Sequence, residues 1–295
     1  MTAKIINGTE IAKQLADELR LETAELKTRH NIIPGLATIL VGDDPASHVY
    51  VSSKVKSCQN LGIHSERYDL PSDVPESELL TLLENLNCNR NIHGILIQMP
   101  LPKHIDETKV IFAINPDKDV DGFHPTSVGR MVIGEPSFLP CTPHGIQVLL
   151  ERSNINTNGA EVVVVGRSNI VGKPIANILL QKATGANATV TICHASTRDI
   201  ASHTRRADIL IAAIGKANFI TADMVKDGVA VIDVGTNEIG KTPEGKRILA
   251  GDVDFAAVKE KACAITPVPG GVGPMTIVML MSNTVKAAKM AHGLI

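Results

Sequence analysis

GLATILVGDDPASHVYVSSKVKSC, residues 35 to 58, decides the fold: an apolar run of strand length passes through a Gly-Asp-Asp turn straight into a helix. Residues 35–42 read as a buried strand. Asp44 is placed as the N-cap and Pro45 at the first helical position, so a helix is predicted over 45–61. At about 100° per residue, Ser47, Tyr50, Val51 and Lys54 share one face of roughly a quarter turn. A hydroxyl, an aromatic ring and an amine are thereby presented at the carboxyl end of a strand, where open α/β sheets place ligands. A lone helical lysine is ordinarily a solvated charge. Tyr50 argues otherwise here, because it is one of two tyrosines in a chain with 2% aromatic residues and no tryptophan. A ring one turn from a lysine fits a flat ligand stacked beside an amine.

Outward from this stretch, strand and helix patterns alternate. Residues 9–29 read as a helix, 63–70 as a strand, 76–90 as a helix and HGILIQM (93–99) as a second buried strand. Such alternation implies a parallel sheet covered on both faces. From Pro100 to Gly145 the texture turns to Pro, Gly and Asp, which reads as loops around one short helix over 106–114. A helix over 142–153 leads into a second unit with strands at 161–165, 188–193, 208–214, 229–234 and 263–266 and a helix over 172–183. A final helix, 274–292, is apolar enough in its first half to be expected between domains. The predicted division is 1–145 with 275–295, and 146–274.

Composition excludes several classes. At 295 residues, 44% hydrophobic and 20% charged, the chain is long enough for two cores, and a net charge of −2 carries no footprint for nucleic acid or an anionic membrane. The five cysteines (Cys58, Cys88, Cys141, Cys193, Cys263) are dispersed and lack a CxxC, so they read as free core residues of a reducing compartment. Charges come too early at the amino terminus for a secretory signal, and no apolar run reaches membrane length. A cytoplasmic protein without a metal is expected.

The second unit carries a nucleotide signature. EVVVVGRSNIVGKPIA (161–176) is a strand, a glycine turn and a helix, whose opening backbone N–H groups can bind pyrophosphate. GxGxxG is absent, and a Walker A loop is excluded by the five residues between Gly166 and Gly172 and by Pro174. The same pattern also fits a tight connection without a ligand. The next strand ends in CHASTR (193–198) with no carboxylate for a ribose 2′-hydroxyl, while Arg167 sits in the turn. That favours a 2′-phosphate and hence NADP, although an ordinary surface arginine fits too.

Three further clusters bear on a ligand. Gln98 emerges from the strand at 93–99 on the sheet edge where Tyr50 and Lys54 point, as either a ligand group or a loop-satisfying amide. PDKDVDGFHP (116–125) gathers Asp117, Asp119 and Asp121 without the spacing of an EF-hand, so one of them is expected to hold a ligand N–H. TPVPGGVGPMT (266–276) brings Pro269, Gly270 and Gly271 ahead of a helix, a side-chain-poor loop that permits close backbone approach to a flat ligand or simply makes a turn.

PASHVYVSSKVK, GILIQMPLP, DKDVDGFHP, VGRSNIVGKP, DVGTN and TPVPGGVGPMT together resemble the bifunctional methylenetetrahydrofolate dehydrogenase/methenyltetrahydrofolate cyclohydrolase family of one-carbon metabolism, over essentially the whole chain. The resemblance implies an amino-terminal α/β domain, a Rossmann-type NADP-binding domain with a cleft between, and a carboxyl-terminal helix returning to the first domain. It implies catalytic roles for Lys54, Gln98, Tyr50 and Asp121, with Tyr50 stacking on the folate, Gln98 holding Lys54 and Asp121 gripping the pterin. Ser47, Pro269, Gly270 and Gly271 would also meet the folate, and Gly166, Arg167, Ser168, Ser196 and Thr236 the cofactor. A homodimer is implied as well. Two features depart from the family pattern. Ala195 stands where many members have a serine after the CH of the second strand, the serine here being Ser196, so NAD is a possible alternative. QKATGANA (181–188) is longer than usual.

The chemistry matches this inventory. Oxidising a methylene carbon held between two nitrogens needs a hydride acceptor and no base. Hydrolysing the methenyl cation needs an activated water, and a lysine serves only if it falls well below its ordinary value of about 10.4. Gln98 can hold a neutral amine without adding charge. The alternatives are a monofunctional NAD(P)-dependent methylene-folate dehydrogenase, an amino acid or shikimate-type dehydrogenase using a Lys and Asp pair, and a non-catalytic NADP sensor. A sensor has no use for Tyr50, Lys54 and Gln98.

Overall fold

The computed structural model describes residues 2–242, 245 and 247–295. In chain order the elements are β1 (Lys4–Ile5), α1 (Gly8–His30), β2 (Gly35–Val41), α2 (Pro45–Leu61), β3 (His64–Leu70), α3 (Glu76–Cys88), β4 (Gly94–Ile97), α4 (Glu107–Ala113), α5 (Pro125–Ile133), α6 (Cys141–Arg152), β5 (Glu161–Val165) and α7 (Gly172–Leu179). They continue with β6 (Thr189–Cys193), α8 (Ile200–Thr204), β7 (Ile209–Ala212), β8 (Ala230–Asp233), β9 (Asn237–Lys241), β10 (Arg247–Ala250), α9 (Phe255–Val258), β11 (Ala264–Ile265) and α10 (Val272–Ala291). Two compact units form, Gln14–Cys141 with Ile277–Ile295, and Met1–Lys13 with Thr142–Thr276.

The first of these is built on a three-stranded parallel sheet in the order β3-β2-β4. Every residue of β2 is buried, as a central strand covered on both faces requires. Ile39, Leu79, Leu83, Leu86, Ile92, Ile95 and Val110 pack one side of it. The strand predicted over 93–99 is shorter: after Ile97 the Gln98 amide still donates to the Ile39 carbonyl at 2.8 Å, and Pro100 then offers no N–H to extend the ladder.

The second unit is a six-stranded parallel sheet in the order β1-β11-β8-β7-β5-β6, with an antiparallel β9-β10 hairpin beside it. β5 lies between β6 and β7, so the strand order reverses at β5, the topological switch point of a doubly wound fold. β1 belongs to this sheet through Lys4↔Ala264 and Ile5↔Ile265, which is why residues up to Lys13 group here and not with the rest of 1–145. A two-residue strand carries no periodicity to read.

Four helices differ from expectation, the short α8 and α9 having no predicted counterpart. α7 stops at Leu179, four residues short of the predicted end, because the chain folds back and the Leu179 and Gln181 carbonyls accept from Ala188 and Asn187 at 2.9 and 2.8 Å. α5 lies inside the stretch read as loop. Its Pro125 start, its His124 side chain accepting from Thr126 N at 3.0 Å and its Gly134 stop (φ 79°) are ordinary helix signals, but exposed Val132 and Ile133 blur its apolar face. Among the described residues no helix is long and apolar enough to cross a membrane. Cys58, Cys141 and Cys193 are buried, as expected for free thiols, whereas Cys88 and Cys263 are exposed.

Candidate active site

α2 begins as its sequence dictates. Asp44 accepts from the Ser47 N–H and from the Ser47 hydroxyl, both at 2.8 Å, so the buried Ser47 builds the helix start with its donor already engaged. One turn on, Tyr50 stands 51% exposed, unusual for a large ring and open to stacking. A further turn on, Lys54 Nζ donates to Gln98 Oε1 at 2.9 Å. Gln98 is itself oriented, because its Nε2 donates to the Met99 carbonyl at 2.8 Å and only its oxygen remains to face the lysine. The two residues lie 44 positions apart in sequence and meet because β2 and β4 are adjacent and α2 follows β2.

The three aspartates of the 116–125 loop separate by role. Asp117 is exposed. Asp119 is buried and accepts from the backbone of Phe123 at 3.2 Å and His124 at 2.8 Å; burial pushes it up to about 6 while those N–H groups pull it back. It is a loop-shaping residue. Asp121 is the carboxylate that faces Lys54. Burial lowers the Lys54 amine from its ordinary value, and the Asp121 charge opposes but does not cancel this; burial likewise raises Asp121 against the pull of Lys54. The result is a lysine displaced toward its neutral form, bonded to a neutral amide and within electrostatic reach of a carboxylate. Cys141, read from sequence as a core thiol, is a neighbour of both: burial holds it protonated, well above its ordinary value.

The glycine turn after β5 belongs to the other unit. Gly166 has φ 142°, and a Cβ there would lie 2.2 Å from the Ala213 carbonyl oxygen. A Cβ on Gly172 would lie 2.2 Å from the Gly166 carbonyl oxygen, so the turn is folded onto itself in a way that leaves room for no side chain at either glycine. The Ser168 hydroxyl accepts from Val171 N at 3.1 Å and Gly172 N at 3.3 Å, closing the start of α7. Arg167 is exposed and makes no hydrogen bond or ion pair among the described residues. The β6 end lies alongside, joined by Gly166 N to the Cys193 carbonyl at 2.8 Å, and on it Ser196 is exposed with its N–H on His194 Nδ1 at 3.2 Å. Thr236 is exposed just beyond β8. Pro269, Gly270 and Gly271 pack in the same unit against the start of α1, where Thr9 N donates to the Gly270 carbonyl at 3.1 Å.

One feature of this unit escaped the sequence reading. Asp252, wholly buried, accepts from Ile214 N at 2.6 Å, Gly215 N at 2.9 Å, Lys216 N at 2.9 Å and Asn237 Nδ2 at 2.9 Å. It thus ties the loop after β7 to the one after β8. Asp233 lies beside it and accepts from Asp252 N and Val253 N at 2.9 and 3.0 Å; burial pushes it up to about 6. GDVD (251–254) has no spacing that announces this. Among the described residues no cluster of His, Cys, Asp and Glu forms a metal site.

A switch-point glycine turn in one unit and a desolvated lysine in the other mark a nucleotide-binding α/β protein. The family model for the tetrahydrofolate dehydrogenase/cyclohydrolase catalytic domain matches residues 6–121, and that for the NAD(P)-binding domain residues 140–292. The chain belongs to the tetrahydrofolate dehydrogenase/cyclohydrolase family. It is 67% identical over 295 residues to the bifunctional protein FolD of Dehalococcoides mccartyi, covering 100% of both chains. Among solved structures it is similar to the Campylobacter jejuni FolD methylenetetrahydrofolate dehydrogenase/cyclohydrolase (46% identity, 98% and 99% of the chains, TM-score 0.91). It is also similar to the Trypanosoma brucei dehydrogenase-cyclohydrolase, solved with NADP and an inhibitor (37% identity, 99% of each chain, TM-score 0.93).

Proposed function

We propose that this chain oxidises 5,10-methylenetetrahydrofolate to the 5,10-methenyl compound with NADP and hydrolyses that to 10-formyltetrahydrofolate. The hydrogen bond from Lys54 to Gln98 beside Asp121 carries the reading, since the dehydrogenase step alone has no need of a desolvated amine. Incubation with methylenetetrahydrofolate and NADP, followed at the absorbance of the methenyl compound and by formation of 10-formyltetrahydrofolate, tests it. A methenyl product that is never hydrolysed faster than in buffer would leave a monofunctional dehydrogenase.

NADP fits the residues present: the Gly166–Gly172 turn excludes side chains where a pyrophosphate approaches, and Arg167 has an unengaged guanidinium. When bound, it accepts the hydride from the methylene carbon. Ser168, Ser196 and Thr236 supply further polar contacts in this reading, and Tyr50 stacks on the folate, with the Pro269-Gly270-Gly271 loop also reserved for it. In the second reaction water adds to the methenyl carbon as neutral Lys54 takes its proton. The hydroxyl proton of the adduct then passes to N5 as the bond from that carbon to N5 breaks, leaving the formyl group on N10. Family resemblance further supports a cytoplasmic homodimer, a state that the elution volume of the purified chain checks.

Two expectations follow from these roles. Arg167→Ala weakens NADP far more than NAD, by about 1.5 to 3 kcal/mol for one lost charge-assisted contact; an equal loss for both cofactors would remove Arg167 from the 2′-phosphate. Asp121→Asn raises the KM for folate in both reactions, because an acceptor for pterin N–H groups becomes a partial donor. It also removes the charge that holds Lys54 protonated, so the rise of hydrolysis with pH, which tracks deprotonation of Lys54, moves to lower pH. A variant with unchanged folate KM and unchanged pH profile would make the carboxylate merely structural.

A further inference from the structure

We propose that Asn283 of α10 is a positioning residue for the Asp121 carboxylate, clamping the backbone on which that carboxylate is carried. The inference rests on the reading of Asp121 as a folate ligand and adds a determinant of its placement from a distant part of the sequence. Asn283 is 3% exposed, a polar side chain with no reason to be buried in an apolar helix unless it is bonded. Its Nδ2 donates to the Val120 carbonyl at 2.8 Å and to the Leu139 carbonyl at 3.0 Å. Both of its amide hydrogens are thereby used, one on the residue directly before Asp121.

The neighbouring contacts make this a frame with Asn283 at its centre. Cys141 Sγ lies 3.4 Å from the same Val120 carbonyl and 3.8 Å from Asn283 Nδ2, and it also touches the Asp121 carboxylate. Held protonated by burial, the thiol has one hydrogen for two acceptors, so Val120 relies on Asn283 whenever Cys141 serves Asp121. On the other side, Gly122 takes φ 77°, and a Cβ there would fall 2.7 Å from the Leu139 carbonyl carbon and the Pro140 nitrogen. The segments carrying Val120 and Leu139 therefore meet beside Asp121, and the amide of Asn283 bridges them. Without it they are free to part, and a carboxylate on a loose loop loses its fixed direction toward Lys54 and the pterin.

Asn283→Leu keeps the approximate size and removes both donors. The expected result is a folate KM about tenfold higher in both reactions with the NADP KM unchanged. The pH profile of hydrolysis also moves to lower pH, since among the groups acting on Lys54 (Asp121, Cys141 and neutral Gln98) it is the Asp121 charge that holds the amine protonated. The decisive comparison is the double variant. If Asn283 acts through Asp121, Asn283→Leu costs nothing further in the Asp121→Asn background. An unchanged folate KM in Asn283→Leu, or losses that add in full, would overturn the proposal while leaving Asp121 as a ligand. A normal folate KM in Asp121→Asn alone would instead overturn the reading of Asp121, and with it the purpose of the clamp. Should the leucine variant fail to fold, Asn283→Ser retains one donor and gives the same pattern at smaller amplitude.

Discussion

In Lys54→Met, methenyl hydrolysis falls by about 100-fold or more, the range that general-base catalysis supplies, while methylene oxidation falls much less. The thioether keeps most of the side chain's apolar length and removes the amine. Oxidation draws on the stacked ring and the nitrogen lone pair of the substrate, neither of which involves Nζ. Hydrolysis draws on a proton acceptor, and Lys54 is suited to that because burial outweighs the Asp121 charge and lowers it toward neutrality. The methenyl compound consequently accumulates during turnover, visible as a transient or persistent absorbance. Equal loss of both activities would make Lys54 a binding residue, and persistent hydrolysis would place the base elsewhere. Gln98 does not depend on Lys54 for its orientation, because its Nε2 is held by the Met99 carbonyl.

Asp252→Ala has the largest structural effect. Its two oxygens, themselves buried, accept four part-buried N–H groups, and alanine removes the acceptor from all four. A hydrogen bond to a charged group contributes about 1.5–3 kcal/mol, and water reaching the exposed Gly215 and Lys216 offsets part of the loss, so the total is about 3–5 kcal/mol, a large share of the roughly 5–15 kcal/mol that stabilises a domain. The effect is local to the loops after β7 and β8. Amide exchange at Ile214, Gly215 and Lys216 therefore accelerates by about 100-fold or more, whereas Ile39 and Ile95 in the other unit keep their protection. Exchange of those three amides at the wild-type rate would mean that another acceptor replaces the carboxylate.

How much of this could be read beforehand depended on whether the signal was local. The α2 start was legible because Asp44, Pro45 and the lysine face all lie within a dozen residues, and helix periodicity translates directly into which side chains stand together. The alternating sheets were legible for the same reason. The pairing of Lys54 with Gln98 needed one further step, the adjacency of β2 and β4, which the resemblance rather than the pattern supplied. Illegible were the contacts whose partners lie far apart without a repeating type. Asn283 reaches Val120 across 163 positions, and Asp252 reaches Ile214 across 38. A single Asn in an apolar helix and the first Asp of GDVD look like solvated residues until the fold brings carbonyls or N–H groups to them. β1 and α5 were missed for a different reason: the one is too short to have a period, and the other shows apolar residues on its solvent side.

The unit that carries Lys54 is assembled from two pieces of chain, Gln14–Cys141 and Ile277–Ile295, with the whole of the nucleotide-binding sheet except β1 encoded between them. During synthesis the residues from Gln14 to Cys141 leave the ribosome long before Asn283 exists. Domains generally fold as they emerge, amino-terminal first, but here the loop bearing Asp121 has no clamp, and Cys58 no Met281 at 3.5 Å, until α10 has been made. The two pieces of this unit therefore meet only late in synthesis, once the whole of the intervening sheet has been made.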